Sequence, residues 1–353
     1  MGPDRLRRRV GLGVAGLGRI GRLHAENLAG RMPSAELVHV ADVDDGRARA
    51  TGKRLGVEWS TAYEDLLHDH AVEAVVLATP TPLHAEMIEL AAASGKHVFC
   101  EKPISLELGP TLRAIEAARE AGIKLHVGFQ RRFDPDWAAA TARIRAGELG
   151  EVYLFRTSLR DMRAPALDYI AASGGLFVDV TIHDLDTARW MVGEIEEVAA
   201  FGAALTGEAF AELGDVDNAV VALRFASGAL GAIDNSRAAG YGYECSTEVV
   251  GSQATVRIGH HRRVHNQWLT PGGAAVDWVA DFAERFPQAY RLGLEDFAAS
   301  VKDDRPTSIT GEDALAAFVL AKACDRSLRE GQPVRLSWEE GEAGVLYELA
   351  GAA

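Results

Sequence analysis

Short apolar runs alternate with helical stretches through the first third of the chain. Val10 to Ala15, Leu37 to Ala41, Ala74 to Ala78, His97 to Cys100 and Lys124 to Gly128 are strand-length runs, separated by amphipathic segments. That rhythm predicts a doubly wound parallel sheet whose strands are covered on both faces. After Phe129 and one more helix, Trp137 to Ala146, the texture changes: Glu151 to Arg160, Asn218 to Phe225, Ala229 to Asn235 and Glu244 to Val250 are longer and alternate. Such runs predict an antiparallel sheet with one face in a core and one face open. Gly228, Gly251 and Gly259 read as its turns, giving mostly a meander, and Gly272-Gly273 as a loop. A last helix, Ala314 to Leu328, stops at Gly331 ahead of Pro333. The expected fold class is α/β plus α+β: residues 1–128 form the doubly wound domain, and residues 129–353 an α+β domain on a large, mostly antiparallel, open-faced sheet. Val220, Leu230 and Ile233 are assigned to its outer face, which predicts a homo-oligomer, dimer or tetramer.

The first strand runs straight into Gly16-Leu17-Gly18-Arg19-Ile20-Gly21, and Arg22 to Leu28 continue as helix. Glycines at that spacing give a tight turn, a close backbone approach to a pyrophosphate, and a close helix–strand contact. Gly11-Leu12-Gly13-Val14-Ala15-Gly16 matches the same string, but that register leaves almost no strand before it. Asp42, 21 residues beyond Gly21, stands where a carboxylate hydrogen-bonds an adenosine ribose and repels a 2′-phosphate. The expected cofactor is therefore NAD rather than NADP.

With 353 residues, 48% of them hydrophobic, the chain has material for two domains. Cys100, Cys245 and Cys324 are far apart and make no C-x-x-C pair, so neither a disulfide framework nor a cysteine zinc site is indicated, and a reducing cytoplasm is expected. Arg5 to Arg9 is followed by glycine-rich sequence with Arg19 and Arg22, and Met1-Gly2 is followed at the sixth position by Leu6, which fits neither a secretory leader nor myristoylation. No apolar run reaches the ~18 residues of a membrane span. A formal charge of −14 opposes nucleic acid as a partner.

Open parallel sheets bind ligands beyond the carboxyl ends of their strands. Two loops fall there: Ala78-Thr79-Pro80-Thr81-Pro82-Leu83-His84, stiffened by prolines, and Cys100-Glu101-Lys102-Pro103.

Glu101-Lys102-Pro103, taken with the glycine fingerprint, the Thr79-Pro80 loop ending in His84, and Gly174-Gly175 followed by Asp179 and His183, resembles the Gfo/Idh/MocA oxidoreductase family from Val10 to about Leu336. Within it, Gly128 to Pro135 and Asp179 to Asp184 are most similar to inositol 2-dehydrogenases. The resemblance implies an N-terminal Rossmann domain and a C-terminal domain that binds substrate and mediates oligomerisation. It implies cofactor contacts from Gly16, Gly18, Arg19, Ile20, Gly21, Asp42, Thr79, Pro80, His84, Glu101, Lys102 and Gln130, the last where several relatives carry Asn or Met. It places Arg132, Arg160, Asp161, Tyr241 and Tyr243 around a polyol, and makes Lys102, Asp179 and His183 catalytic.

Chemistry gives each catalytic group a task. Oxidation of a secondary alcohol needs a base for the hydroxyl proton, which suits His183, and a donor for the developing alkoxide, which suits Lys102. If Gly175 to Val192 is one helix, Asp179 and His183 share a face about 5 to 6 Å apart. Leu176 to Val180 has strand propensity, so that helix follows from the resemblance. Asp179 would then hold a substrate hydroxyl and orient the imidazole. Asp179, His183 and Asp184 lack a further ligand at metal spacing, and no metal is expected. The activity indicated is NAD-dependent oxidation of a cyclitol or sugar, myo-inositol foremost. Alternatives are a sugar or keto-cyclitol reductase, an NAD-dependent glycosidase, and a nicotinamide-sensing regulator, the last disfavoured by retention of Lys102 and His183.

Overall fold

The structure, a computed structural model, describes residues 8–30, 32–259, 262–263, 267–341 and 344–349. The readings made on Met1-Gly2 and on Arg5 to Arg7 lie outside the described residues. By internal packing the chain divides into two units, Met1–Phe133 with Gln288–Leu315, and Asp134–Pro287 with Ala316–Ala353.

The first unit holds six parallel strands: β1 (Val10–Ala15), β2 (Ala35–Ala41), β3 (Glu58–Ser60), β4 (Ala74–Leu77), β5 (His97–Cys100) and β6 (Leu125–Val127). They lie in the order β3-β2-β1-β4-β5-β6, so the order reverses between β1 and β4, where doubly wound sheets bind their ligands. Every residue of β1 is buried. Its two glycines answer to packing, since a Cβ on Gly11 would stand 2.0 Å from the Ala71 carbonyl oxygen and one on Gly13 2.7 Å from Leu66. The glycines that make the earlier string match are thus interior strand residues, and the loop begins at Gly16.

The core gathers Leu12, Val14, Leu28, Val76 and Phe99 with Leu294, Phe297 and Ala298 from the helix Pro287–Asp303. Burying a side chain such as Phe297 stabilises by about 1.5–3 kcal/mol relative to leaving it in water. That burial draws a late segment into the first unit, across the single change of texture after residue 128.

The second unit is built on β7 (Val152–Arg160), β8 (Ile195–Ala203), β9 (Asn218–Phe225), β10 (Leu230–Ser236), β11 (Glu244–Gly251) and β12 (Thr255–Ile258). A small hairpin, β13 (Trp268–Thr270) and β14 (Gly273–Ala275), has Pro271-Gly272 at its tip, so of the expected Gly272-Gly273 loop Gly273 is instead the first residue of β14, paired with Thr270; β15 (Val334–Gly341) and β16 (Gly344–Leu349) follow. The eight-stranded sheet runs β12-β11-β7-β10-β9-β8-β15-β16. It is mostly antiparallel, yet the meander expectation is corrected: β7 lies between β10 and β11 and pairs with β10 in parallel.

Strand parity sorts this sheet into two faces. Phe155, Thr157 and Leu159 point inward with Val221, Leu223 and Phe225, while Val220 and Leu230 stay 53% and 48% exposed. Ile233 is corrected to the inner face, at 1% exposure, because it lies an odd number of residues from Leu230 and pairs with Val221 and Thr157. Phe201, opposite Val220 on the neighbouring strand and 74% exposed, takes its place on the open face. All three cysteines are buried free thiols. Among the described residues no helix is long and apolar enough to cross a membrane.

Candidate functional site

In the first unit the three loop glycines answer to three different constraints. Gly16 has φ +86 and would place a Cβ 2.7 Å from the Ala78 carbonyl oxygen; a Cβ on Gly21 would lie 1.8 Å from the Gly16 oxygen. Gly18 has an ordinary φ of −64, and a Cβ there meets no protein atom within 4 Å. Two glycines let the loop fold, and the third keeps a cradle open at the start of the helix Arg19–Ala29, which has no side-chain cap and no acid in its first turn. A helix N-terminus of that kind suits a phosphate group. Exposed Arg19 and half-buried Ile20 open this helix.

Asp42, at the end of β2, stiffens the same loop. Its Oδ2 accepts from the Leu17 N–H at 2.7 Å and its Oδ1 from the Asp44 N–H at 2.8 Å, with the Arg47 guanidinium 3.1 Å from Oδ1. The residues therefore fit a dinucleotide: a phosphate cradle, an uncapped helix start and a fixed carboxylate one strand over.

The loops after β4 and β5 are held to one another by His84. Its ring is 1% exposed, with Nδ1 2.9 Å from the Pro103 carbonyl oxygen and Nε2 2.8 Å from that of Thr79. Burial holds its pKa below the usual histidine range. His84 thus acts as a brace between loops, and Thr79 in turn donates to Met87 Sδ at 3.3 Å. Across Lys102, the Glu101 carboxylate meets His24 Nε2 at 2.6 Å and packs over Gly128, where a Cβ would sit 3.0 Å from Glu101 Oε2. Lys102 precedes a cis peptide bond to Pro103. The lysine is therefore flanked on one side by a residue anchored to His24 and on the other by one anchored to His84. No motif marks His24 in the sequence; its one signal is its place beside Ala25 and Leu28 on the buried face of the first helix.

Gln130 is buried and lines a small cavity with Phe99, Glu101 and Tyr290. Arg132, read as a substrate contact, directs its guanidinium to Asp313 at 3.0 Å within this same unit.

In the second unit the segment from Phe177 is helical, and its first turn is wide. Phe177–Thr181 is a π-turn, with the Ile182 N–H reaching back to the Phe177 carbonyl, and Ile182–Val192 continues as α-helix. Single π-turns recur at functional sites. Asp179 lies in that turn and His183 in the first α turn, half-buried. Gly175 at φ +85 lets the chain enter beneath Asp215, whose Oδ1 stands 3.1 Å from where a Cβ would be and accepts from the Leu176 N–H.

The Asp179 carboxylate is held at both oxygens: Oδ1 by the Tyr169 hydroxyl at 2.8 Å and Oδ2 by Arg237 Nη1 at 3.0 Å. Burial, followed by the neighbouring carboxylate, pushes the Tyr169 phenol well above its usual pKa. Neither Tyr169 nor Arg237 carries a sequence motif, since both reach Asp179 through the fold. Asp184, fully buried, accepts from Asn235 Nδ2 at 2.8 Å and Thr157 Oγ1 at 3.2 Å, a structural commitment.

The remaining polyol candidates divide by sheet face. Arg160 shares strand parity with exposed Arg156, on the side opposite Thr157 and the helix of Asp184. There it donates to Asp234 at 2.7 Å and to the Tyr241 hydroxyl at 3.3 Å, and Tyr241 donates to Glu244. Asp161 joins the sheet end through its N–H to the Ser236 carbonyl. Tyr243 is buried, its ring edge-on to Phe286 at 6.4 Å and its carbonyl accepting from Trp278 Nε1. The structure thus joins Arg160 with Tyr241, and Asp179 with two residues from elsewhere in its own unit.

A parallel sheet with this glycine loop and an ordered carboxylate just after β2 defines a dinucleotide-binding domain. The sequence matches the oxidoreductase family's NAD-binding Rossmann fold over residues 10–129 and its C-terminal alpha/beta domain over residues 141–336. The chain belongs to the Gfo/Idh/MocA oxidoreductase family, and NAD is the cofactor its first domain binds. It is 42% identical over 331 residues to a myo-inositol 2-dehydrogenase of Thermotoga maritima, covering 92% of this chain and 98% of the relative. To the scyllo-inositol 2-dehydrogenase (NAD(+)) of Bacillus subtilis it is 40% identical over 334 residues, covering 94% and 98%. The crystal structure of a Lactobacillus casei scyllo-inositol dehydrogenase with bound NAD(H) and scyllo-inositol superposes with a TM-score of 0.86 at 28% identity, over 93% of this chain and 99% of that one.

Proposed function

We propose that this chain is an NAD-dependent inositol 2-dehydrogenase, oxidising a secondary hydroxyl of a cyclitol, myo-inositol foremost, to the ketone. The observation that carries the reading is near full-length identity of 40% or more to two inositol dehydrogenases, in a chain that keeps the Glu101-Lys102-Pro103 loop and the Asp179, His183 pair. When bound, NAD supplies the acceptor for the hydride that leaves the substrate carbon. Gly16, Gly18 and Gly21 with the start of their helix would hold its diphosphate, and Asp42 its adenosine ribose.

The protein's own groups move the proton. His183 takes it from the substrate hydroxyl as the carbonyl forms, and a neutral imidazole is matched to that step near pH 7. The Lys102 ammonium donates a hydrogen bond to the same oxygen, favouring the alkoxide character that develops there. Asp179, held at both oxygens, accepts from a substrate hydroxyl. Arg132, Arg160, Asp161, Tyr241 and Tyr243 remain the candidates for further polyol contacts. Since Arg132 is engaged by Asp313 and Arg160 by Asp234, each would have to share its guanidinium with the ligand.

The exposed Phe201, Val220 and Leu230 support a homo-oligomer, dimer or tetramer, formed through the open sheet face. Three buried free thiols accord with a cytoplasmic setting. Purified protein mixed with NAD and myo-inositol or scyllo-inositol is the test. Growth of the reduced-nicotinamide absorbance is the expected result, the faster substrate naming the preferred cyclitol. Absence of growth with both, at confirmed NADH binding, would sink the assignment.

A further inference from the structure

Arg237 is fully buried just beyond the end of β10, and its backbone is rigidly placed. Its N–H donates to the Asp217 carbonyl at 2.8 Å. The Asp217 carboxylate in turn collects the Leu205 and Thr206 N–H groups and the Asn218 amide at 2.7–2.8 Å. From this anchor the guanidinium reaches two acids of the same helix entrance. Nη1 donates to Asp179 Oδ2 at 3.0 Å, and Nη2 lies 3.9 Å from Asp215 Oδ2. Asp215 holds the Leu176 N–H at the entrance itself, and Asp179 sits three residues further along in the π-turn. The other Asp179 oxygen is taken by Tyr169, a residue 51% exposed although its hydroxyl is engaged.

We infer that Arg237 is a positioning residue for the dehydrogenase reaction: it fixes the Asp179 carboxylate against the π-turn, with Tyr169 as the second arm of the clamp, so that Asp179 and His183 are presented in one register. The inference rests on the dehydrogenase reading. Arg237 touches no reacting atom; it works through Asp179. A planar, permanently charged guanidinium on a buried strand end, with one arm on Asp179 and the other turned toward Asp215, holds the carboxylate in one orientation, which a solvated or flexible partner does not. Two fixed donors, Tyr169 Oη–H and Arg237 Nη1–H, also favour the ionised form of a carboxyl over its neutral form. The charged and titratable groups around Asp179 are Arg237, Tyr169, Asp215 beyond Arg237, Asp161 acting on Tyr169, and His183 and Asp184 on its own helical segment.

The test compares Arg237→Gln, Arg237→Lys and Tyr169→Phe with the wild type. Loss of the cation favours protonation of the Asp179 and His183 pair, so on acidification the unprotonated, active pair disappears at a higher pH. Arg237→Gln is expected to lower kcat with myo-inositol by about a hundredfold and to move the acid limb of the kcat/KM profile up by about one pH unit. NADH affinity should be unchanged. Arg237→Lys should recover roughly tenfold, since it restores charge without the fork. A folded Arg237→Gln protein with wild-type kcat and pH profile overturns the inference. Should that variant not fold, Tyr169→Phe, a small change at a half-exposed ring, is expected to shift the same limb in the same direction, and an unmoved limb overturns it. Carbon-13 NMR titration of the Asp179 carboxyl, assigned with Asp179→Asn, needs no turnover. A raised titration in Arg237→Gln supports the clamp even if no cyclitol is oxidised, whereas an unchanged one overturns it even in an active enzyme.

Discussion

His24 Nε2 lies 2.6 Å from Glu101 Oε1, joining the buried face of the first helix to the residue before Lys102. His24 itself is fully buried, its ring edge-on to Phe99 and Tyr290. The helix that follows the phosphate cradle is thereby tied to the loop that carries the lysine.

Cutting that tie should misplace Lys102 without emptying the cofactor site. Glu101→Ala is expected to lower kcat by about a hundredfold, the scale of a misplacement near 1 Å, with NADH affinity within a few-fold of wild type. Steady-state kinetics beside a fluorescence titration of NADH checks it; equal losses in both would mean that Glu101 serves the cofactor directly.

The glycines of the fingerprint should separate fold from function. Gly18→Ala meets no protein atom and has an allowed φ, so thermal stability should hold while NAD binding weakens sharply. Gly21→Ala forces a Cβ to 1.8 Å from the Gly16 oxygen and should destabilise the unit, by about 1–3 kcal/mol or more as backbone shifts. Calorimetric melting with and without NAD distinguishes the two.

His183→Ala removes the assigned base. Turnover should fall by about 10²–10⁴, with NADH affinity intact and partial recovery on adding imidazole. A variant that turns over at the wild-type rate would remove His183 from the mechanism.

Acid sensitivity should trace in part to His126, which is fully buried and stacked on Phe99 at 5.0 Å and on Phe133 at 5.6 Å. Burial pushes its pKa down from 6.5 to about 4. Between those values the unfolded chain binds a proton that the folded chain refuses, so stability is lost as pH falls through that window. His126→Phe keeps the stack and abolishes the titration. Urea midpoints measured from pH 7 down to about 4.5 should turn progressively in favour of the variant; parallel curves would show that His126 does not contribute.

Much of the first unit could be read directly from sequence because its signals are local. The run into Gly16 locates β1, and the apolar runs ending at Leu77 and Cys100 locate the strand ends where the two loops must emerge. What escaped detection depends on partners distant in sequence. Leu294, Phe297 and Ala298 look like any amphipathic helix until they meet Leu12 and Val14. Leu176 to Val180 carries β-branched residues that favour a strand, yet in the fold it is a buried π-turn running into the helix Ile182–Val192. Asp179 and His183 are marked as candidates by resemblance, yet Arg237 and Tyr169, which hydrogen-bond Asp179, sit 58 and 10 residues away with no motif to mark them. Arg160 was visible as a charged strand end, but the face it occupies follows from strand parity and pairing.

The thiols offer a practical consequence. Cys100, Cys245 and Cys324 are buried, and desolvation keeps Cys100 and Cys324 protonated far above neutral pH. The native chain should therefore react slowly with maleimide dyes, and one cysteine introduced at exposed Val43 should carry a fluorophore that reports nucleotide arrival over little background labelling.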